Sequence, residues 1–535
     1  METLWYKNAV FYQVSVRAYK DSSGDGHGDL RGLTQKLDYI QSLGVDCIWI
    51  MPIYPSPLRD DGYDIADYYN IAEAFGTLDD FKELIAAAHA RDIRIIMDLV
   101  LNHTSDQHPW FQSARSIRKS PYRDYYVWSD TDEKYKGTRI IFVDTEPSNW
   151  TWDERAGQYY WHRFYASQPD LNFDNPKVQQ EMLDTAGFWL DLGIDGFRAD
   201  AVPYLFEREG TDNENLPETH VFLKKLRAFI DRNYPGRILL CEANQRPEDV
   251  SAYFGEGDEF QMGFNFPIMP CIFMALKKSR IDDIVENLRR TPSIPEDCQW
   301  CTFLRNHDEL TLEMVTPQER EWMWEQYAPE PRMRQNLGIR RRLAPLLDND
   351  RRKIELANSI LFTLPGSPII YYGDEIGMGD NLDLPDRNGV RTPMQWDDSP
   401  NGGFTAGKPY MEMVKGDLDH HHINVAKQVA DENSLLRSIS EMIKVRKGHT
   451  AFGRGSMRWV ETGNPSVAVY MREYAAETLL IVNNLSGTLQ TISLPSEYYG
   501  GYVDLLTGAK HDIASLLKLE TYNYLWLMKQ NGGHA

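Results

Sequence analysis

The sequence predicts an α/β chain in three parts: a (β/α)8 TIM barrel, a subdomain inserted after its third strand, and a C-terminal antiparallel β-sandwich. Three observations predict it. Apolar runs of strand length alternate with stretches of helical period, roughly 40 residues apart, the rhythm of parallel strands joined by right-handed crossovers. That rhythm breaks once, over residues 104–175, where Trp, Tyr, Asp, Pro and Ser crowd a stretch without a clear helical period. Beyond residue 450 the pattern changes to short runs of two-residue alternation separated by turn signals. The expected parts are therefore a barrel from 1–103 and 176–449, an insertion at 104–175, and a β domain at 450–535.

The elements follow in order. Residues 10–16 read as the first strand. A helix over 33–43 carries Leu33, Leu37, Ile40 and Leu43 on one face and stops at Gly44. The buried run 45–51 is the second strand, and a helix over 78–91 leads to the third at 93–101. The insertion is too long for a bare loop and reads as a subdomain. After it come helix 178–192 with strand 194–200, helix 218–232 with strand 238–243, and strands 260–266 and 300–306. Helix 351–364 leads to the eighth strand, 368–372. Helix 434–447 precedes the β domain, with runs at 467–471, 478–482 and 488–492. Such barrels keep their chemistry at the C-terminal ends of the strands.

Bulk properties narrow the function. With 535 residues the chain exceeds a single core. Hydrophobic residues at 42% and charged ones at 25% suit a soluble globular enzyme. A net charge of −22 argues against nucleic acid and anionic membranes as partners. Aromatic residues, at 12%, supply core and also flat faces that suit sugar rings. Five cysteines, an odd number, argue against a disulfide scaffold and for a reducing, cytoplasmic setting. The start, Met1 to Trp5, has no basic segment followed by an apolar run, so no secretion signal is expected. Cys298-x-x-Cys301 lacks a second pair at zinc spacing, and His420 to His422 read as a polar loop.

Four strand-like runs end in ionisable clusters. In Gly196-Phe197-Arg198-Ala199-Asp200, alternation puts Arg198 and Asp200 on one side of the strand. A carboxylate beside a fixed cation is expected to stay ionised, as a nucleophile requires. Others end in Glu242, in Arg305-Asn306-His307-Asp308, and in Asp98 to Asn102-His103. A structural ion pair would explain any one of them; four at separate strand ends suggest a single mouth. Farther up the chain, Asp21, Ser23, Asp25 and Asp29, with the carbonyl of His27, place oxygens at alternate positions with glycines between, as a loop around a hard cation does. The bland alternative is a solvated acidic turn.

Taken in order, these four clusters resemble the four signature regions of the α-amylase family of glycoside hydrolases, and the resemblance runs from about Tyr6 to the β domain. It implies Asp200 as nucleophile, Glu242 as general acid/base, and Asp308 as the acid that steadies the distorted sugar. Arg198 would orient Asp200, while His103 and His307 would hydrogen-bond hydroxyls of the first glucosyl ring. Because Glu242 must be protonated before it acts, a closed surround that raises its pKa is expected. Asp60-Asp61-Gly62-Tyr63-Asp64 is similar to the segment that closes the pocket in α-glucosidase-like members. Asp60 and Tyr63 would then grip the non-reducing glucose, with Arg391 as the arginine partner of Asp60 and Gln168 as a further sugar contact. Asn102, Asp170, Glu207 and the carbonyls of Tyr204 and Leu205 resemble a second metal site of the family. The metal implied is calcium, with magnesium the alternative at one site; Ser23 stands where asparagine is commoner, and a hydroxyl is the weaker ligand.

Residues 241–250 and 373–381, and Ala199, are similar to the branch of the family that interconverts maltose and trehalose. The implied activity is an intramolecular transglucosylation through a β-glucosyl ester on Asp200, with minor hydrolysis to glucose. The disaccharide is the expected partner, and a homo-oligomer is compatible with it. Loops around 104–175 and 312–350 are the expected lid. A hydrolase of the α-glucosidase or oligo-1,6-glucosidase type is the alternative. A non-catalytic binding member of the fold is the third reading, against which all three acids weigh.

Overall fold

The computed structural model describes residues 4–530, so residues 1–3 of the N-terminal reading and the end of the 450–535 stretch lie outside the described residues. Eight parallel strands close into a barrel in sequence order. They are β1 (Phe11–Val14), β2 (Cys47–Ile50), β3 (Arg94–Val100), β4 (Gly196–Asp200), β5 (Ile238–Cys241), β6 (Met262–Phe264), β7 (Gln299–Phe303) and β8 (Ser367–Tyr371). All eight match expected strands; the first six are shorter than expected because flanking residues leave the ladder for the loops, while β7 and β8 begin one residue earlier than expected. Nearly every strand residue is buried, as a sheet enclosed by helices requires.

Local chemistry explains the helices. Helix Leu78–His89 starts at a capping box in which Thr77 and Asp80 satisfy each other's backbone amides. Helix Pro176–Asp191 begins with the Asn175 side chain as its cap and proline in its first turn. The stretch expected as one helix over 33–43 is two, Leu30–Gln35 and Leu37–Leu43. Asp29 caps the first, the chain leaves helical geometry at Lys36, and Gly44 ends the second with a positive φ of 88°.

The insertion holds a three-stranded antiparallel sheet, Trp128–Ser129, Gln158–Trp161 and Trp150–Asp153, and a helix, Pro109–Ser116. That helix buries Trp110, Phe111 and Ala114 and is only eight residues long, too short to show a period among so many aromatics. Between β7 and β8 a second small sheet joins Leu310–Thr311, Gly338–Ile339 and Arg334–Gln335. At the C-terminus a six-stranded antiparallel sheet faces a two-stranded one, Gln490–Ser493 with Leu516–Leu519. Val469, Leu480, Val482, Ile492, Leu519 and Leu527 share the apolar layer between them. No helix among the described residues is long and apolar enough to cross a membrane.

One glycine fixes how closely β4 and β5 approach. A Cβ on Gly196 would sit 2.2 Å from the Ile238 carbonyl oxygen, so only glycine lets these strands pair at this point. Gly196→Ala is expected to lower stability by about 2 kcal/mol, the scale of overpacking a filled core; a thermal melt beside the unaltered protein checks this.

Candidate active site

The strand register builds the centre of the site. Asp98 on β3 lies opposite Arg198 on β4, and Val100 opposite Asp200. Arg198 is buried and touches three acids: its Nη1 reaches Asp98 and Asp200, and its Nη2 reaches Glu242, just past β5. Asp98 is held from behind by the Trp49 indole N–H at 2.8 Å and by the Tyr54 hydroxyl, which donates to its carbonyl at 2.7 Å. Glu242 is the most open of the three, its side chain 18% exposed against 10% for Asp200 and none for Asp98, so it faces the cavity.

One guanidinium thus serves three buried carboxylates, and all three cannot be ionised cheaply. Burial raises Asp98 to about 6 against the pull of Arg198. Asp200 and Glu242 meet the same cation and each other, so their protons belong to the pair. Burial raises Asp200 to about 6, with Arg198 pulling down and Asp98 pushing up. Burial carries Glu242 to about 8, opposed by Arg198 and reinforced by Asp200 and Asp308. The raised Glu242 matches the expectation. For Asp200 the expectation is corrected in part: Arg198 favours its ionised form, but desolvation outweighs that pull.

Asp308, at the end of the loop after β7, sits in the opposite environment. Burial pushes its carboxyl up, but His307, Arg387 and Arg391 outweigh it and hold it well below the usual range. Arg387 Nη1 and Arg391 Nη2 both bind Oδ1, at 2.8 and 2.9 Å, while Oδ2 faces His307 Nε2 at 3.1 Å. The arginine that pairs with Asp60 is Arg387, not the expected Arg391. Arg391 instead grips Asp308 and the His307 carbonyl, with Asp61 at 3.7 Å. The two arginines are four residues apart, and sequence alone favoured the one inside the familiar stretch.

Of the other expected sugar contacts, Tyr63, His103 and His307 line the same cavity, whereas Gln168 is buried and reaches it only through its neighbours. Gln168 donates to Asp60 at 3.0 Å and lies 3.3 Å from His103 Nε2. Tyr63 stacks on His307 at 5.3 Å with nearly parallel rings, and its hydroxyl has no partner. Burial pushes both histidines down, His103 to about 3 and His307 well below its usual value against the pull of Asp308. Phe142, Phe164, Asn244, Glu309 and Glu313 also line the cavity and were not singled out from sequence. Asn244 lay inside a quoted stretch but had no charge or spacing to mark it.

The mouth is bridged by long-range contacts. Arg139 of the insertion binds Glu313 at 2.7 Å and Glu214 at 2.7 Å. The Asn336 amide donates to Asp144 at 2.6 Å, and Tyr165 donates to Asp386 at 3.1 Å. Arg139–Glu313 and Asp144–Asn336 join the two stretches expected as the lid, 104–175 and 312–350, whereas Glu214 and Asp386 lie outside them.

The two sets of metal-ligand candidates differ. Around 21–29, Asp21 accepts from the amides of Ser23, Gly24 and Gly26 and from Thr405, while Asp29 accepts from Ser22, Ser23 and Gly32. Asp25 accepts from the His27 amide and is exposed. These hydrogen bonds hold the carboxylates of the loop in place, and each carboxylate oxygen retains a second lone pair that a cation could take. At the second set, Asn102 Oδ1, Asp170 Oδ2 and Glu207 Oε1 are all buried without a hydrogen-bond partner. Burial raises Asp170 to about 8 and Glu207 well above its usual range, with the charge of Asp170 adding to the rise of Glu207. Tyr204 and Leu205 lie in the turn that leads to Glu207. Among the described residues no three His, Cys, Asp or Glu side chains cluster as metal ligands, so an amide and carbonyls would have to complete the shell. Oxygens of this kind, left unpaired, fit a hard divalent cation.

A parallel (β/α)8 barrel with a nucleophile-like acid, a protonated acid and a permanently ionised acid at its C-terminal mouth defines an enzyme that works on glycosidic bonds. The chain belongs to the α-amylase family: residues 13–328 and 339–455 match its catalytic domain, and 457–526 match the maltogenic amylase C-terminal domain. It is 55% identical to a trehalose synthase/amylase of Mycolicibacterium smegmatis, over 98% of this chain and 92% of the relative. It is 53% identical to a trehalose synthase of Pimelobacter sp., over 98% and 96% of the two chains. The fold superposes on the trehalulose synthase MutB of Pseudomonas mesoacidophila with a TM-score of 0.80 at 29% identity, covering 98% of this chain and 99% of that one.

A reaction that needs Asp200 ionised and Glu242 protonated loses the first below about 6 and the second above about 8. The kcat/KM of cleavage of an aryl α-glucoside is therefore expected to be bell-shaped between those limits. A profile without an alkaline limb would contradict the assignment of the raised acid.

Proposed function

We propose that this enzyme interconverts maltose and trehalose by intramolecular transfer of a glucosyl unit, with hydrolysis to glucose as a minor outcome. The observation that carries this is identity of 53–55% to trehalose synthases over 98% of the chain. The bridged mouth supports it, since isomerisation requires the released sugar to stay.

In the proposed sequence an Asp200 oxygen attacks the anomeric carbon of maltose as its bond to the 4-oxygen breaks. Glu242 gives its proton to that oxygen. A β-glucosyl ester on Asp200 and a free glucose remain together. The glucose turns so that its anomeric hydroxyl faces the ester. Glu242, now a carboxylate, takes that proton as the oxygen attacks, Asp200 leaves, and the α,α-1,1 bond forms. Two inversions give retention. Asp308, kept ionised by Arg387 and Arg391 on Oδ1, is suited to stabilise positive charge and bind sugar hydroxyls beside His307, which faces its Oδ2. Tyr63 and His307 give the flat floor, and Asp60 with Gln168 the polar end, of a pocket for one glucose.

The rival, an α-glucosidase-type hydrolase, uses the same acids and differs in whether water or the held glucose reaches the ester first. A glucose held in place has a large effective concentration, so the seal decides the product. The contacts Arg139–Glu313, Asp144–Asn336 and Tyr165–Asp386 are the proposed seal. The reading extends to one divalent cation, calcium or magnesium, held by Asn102, Asp170, Glu207 and the carbonyls of Tyr204 and Leu205. It would fix the chain beside His103. A cytoplasmic setting suits five cysteines that stand as free thiols.

Incubation with maltose alone tests the function: trehalose as main product with little glucose is expected, and glucose alone would refute it. Asp200→Asn is expected to abolish both products. Arg139→Met is expected to raise the glucose share severalfold, and an unchanged share would remove Arg139 from the seal. Exhaustive chelation is expected to lower the melting temperature, with calcium or magnesium restoring it by mass action. A melting temperature indifferent to chelation in both the unaltered protein and Glu207→Gln would remove the cation.

A further inference from the structure

An alternating line of charge runs from the active site to the first barrel loop: Asp60, Arg387, Asp308, Arg391, Asp61, Arg17. Asp60, Arg387 and Asp308 line the sugar pocket; Arg391, Asp61 and Arg17 do not. The turn carrying Asp60 and Asp61 sends these neighbours to different arginines. Asp61 has a positive φ of 48°, uncommon for a residue with a side chain, and Gly62 follows with φ 110°. This geometry directs Asp60 to Arg387 and Asp61 to Arg17, at 3.0 Å, and to Arg391, at 3.7 Å. Asp61 is almost wholly buried, its side chain 4% exposed, so its charge acts on these two cations and not on solvent.

Arg17 is itself fixed. Its guanidinium lies 4.1 Å over the Tyr410 ring, which stacks against His27 at 5.1 Å. The Tyr410 hydroxyl donates to the Arg391 carbonyl at 3.3 Å. Arg391 is thus held at its backbone by Tyr410 and faced at its guanidinium by Asp61. That leaves Nη2 aimed at Asp308 Oδ1 and Nε at the His307 carbonyl.

We propose that Asp61, clamped by Arg17, is a positioning residue for the reaction, setting Arg391 and through it the orientation of Asp308. The inference rests on the glucosyl-transfer reading of the site. Without Asp61, Arg391 has one counter-charge fewer among two close arginines and is drawn farther onto Asp308. The rotation moves the Asp308 oxygen that must meet the sugar. Misplacement of this kind slows the chemical step while leaving most ground-state contacts in place.

The test uses the whole enzyme and two substrates, maltose and 4-nitrophenyl α-D-glucopyranoside, whose cleavage reports formation of the glucosyl ester whatever the acceptor. Asp61→Asn is expected to lower kcat on both by between about tenfold and about hundredfold, with KM changed by no more than about twofold. Arg17→Met is expected to shift kcat the same way, and Arg17→Lys to restore most of it; these keep the question open to decision if Asp61→Asn folds poorly. In an Arg391→Lys background Asp61→Asn is expected to add little, because its route is already broken. A kcat within about twofold of the parent, a rise in KM alone, or losses that multiply in the double variant would each overturn the proposal. If the parent cleaves the aryl glucoside but does not isomerise maltose, the functional reading fails while this inference is still tested on the aryl substrate.

Discussion

Arg198 is the guanidinium on which the barrel mouth depends. It meets Asp98, Asp200 and Glu242 at once, in a place from which water is largely excluded. One positive charge does not neutralise three negative ones, so at neutral pH the group retains a proton, and the environment decides where. Asp98 is held by Trp49 and Arg198, and Asp200 shares the same Nη1. Glu242 receives only Nη2 and one backbone amide, from Ala201 at 3.2 Å, and faces Asp200. The proton therefore rests most easily on Glu242. A buried ion pair that is a poor source of stability is here a means of setting which acid donates and which attacks.

Asp308 shows the same physics with the balance reversed. It is more open, its side chain 26% exposed, and two arginines and a histidine surround it, so it stays ionised. A site with one acid held charged and another held protonated is divided by its counter-ions, not by residue type. The seal adds the remaining condition. Links from the insertion to Glu313, Asn336 and Asp386 are the proposed seal, which would leave the sugar released by one displacement as the acceptor nearest the next.

Much of this was legible in the sequence because it is local. The barrel announced itself through alternation; Asp200 and Glu242 sit at or just past the ends of their strands, and Asp308 at the end of the loop after β7. What stayed hidden depends on distance in the chain. Asp60 and Arg387 are 327 positions apart, and nothing local distinguishes Arg387 from Arg391. The raised value of Asp200 follows from burial, which a motif does not display. The break at Lys36 hides inside an unbroken apolar period, because helix propensity does not record a turn in direction. The unpaired oxygens of Asn102, Asp170 and Glu207 come together from three separate segments, and only the fold shows that they lack partners.

The placement of the proton on Glu242 is tested most directly by carbon-13 NMR titration of enzyme labelled at the glutamate carboxyl carbons, with Glu242→Gln to assign the signal. On this account Glu242 titrates near about 8 and moves down toward the ordinary range in Asp200→Asn, where the neighbouring charge is gone. A Glu242 that titrates near about 4, the value of an unperturbed glutamate, would contradict it.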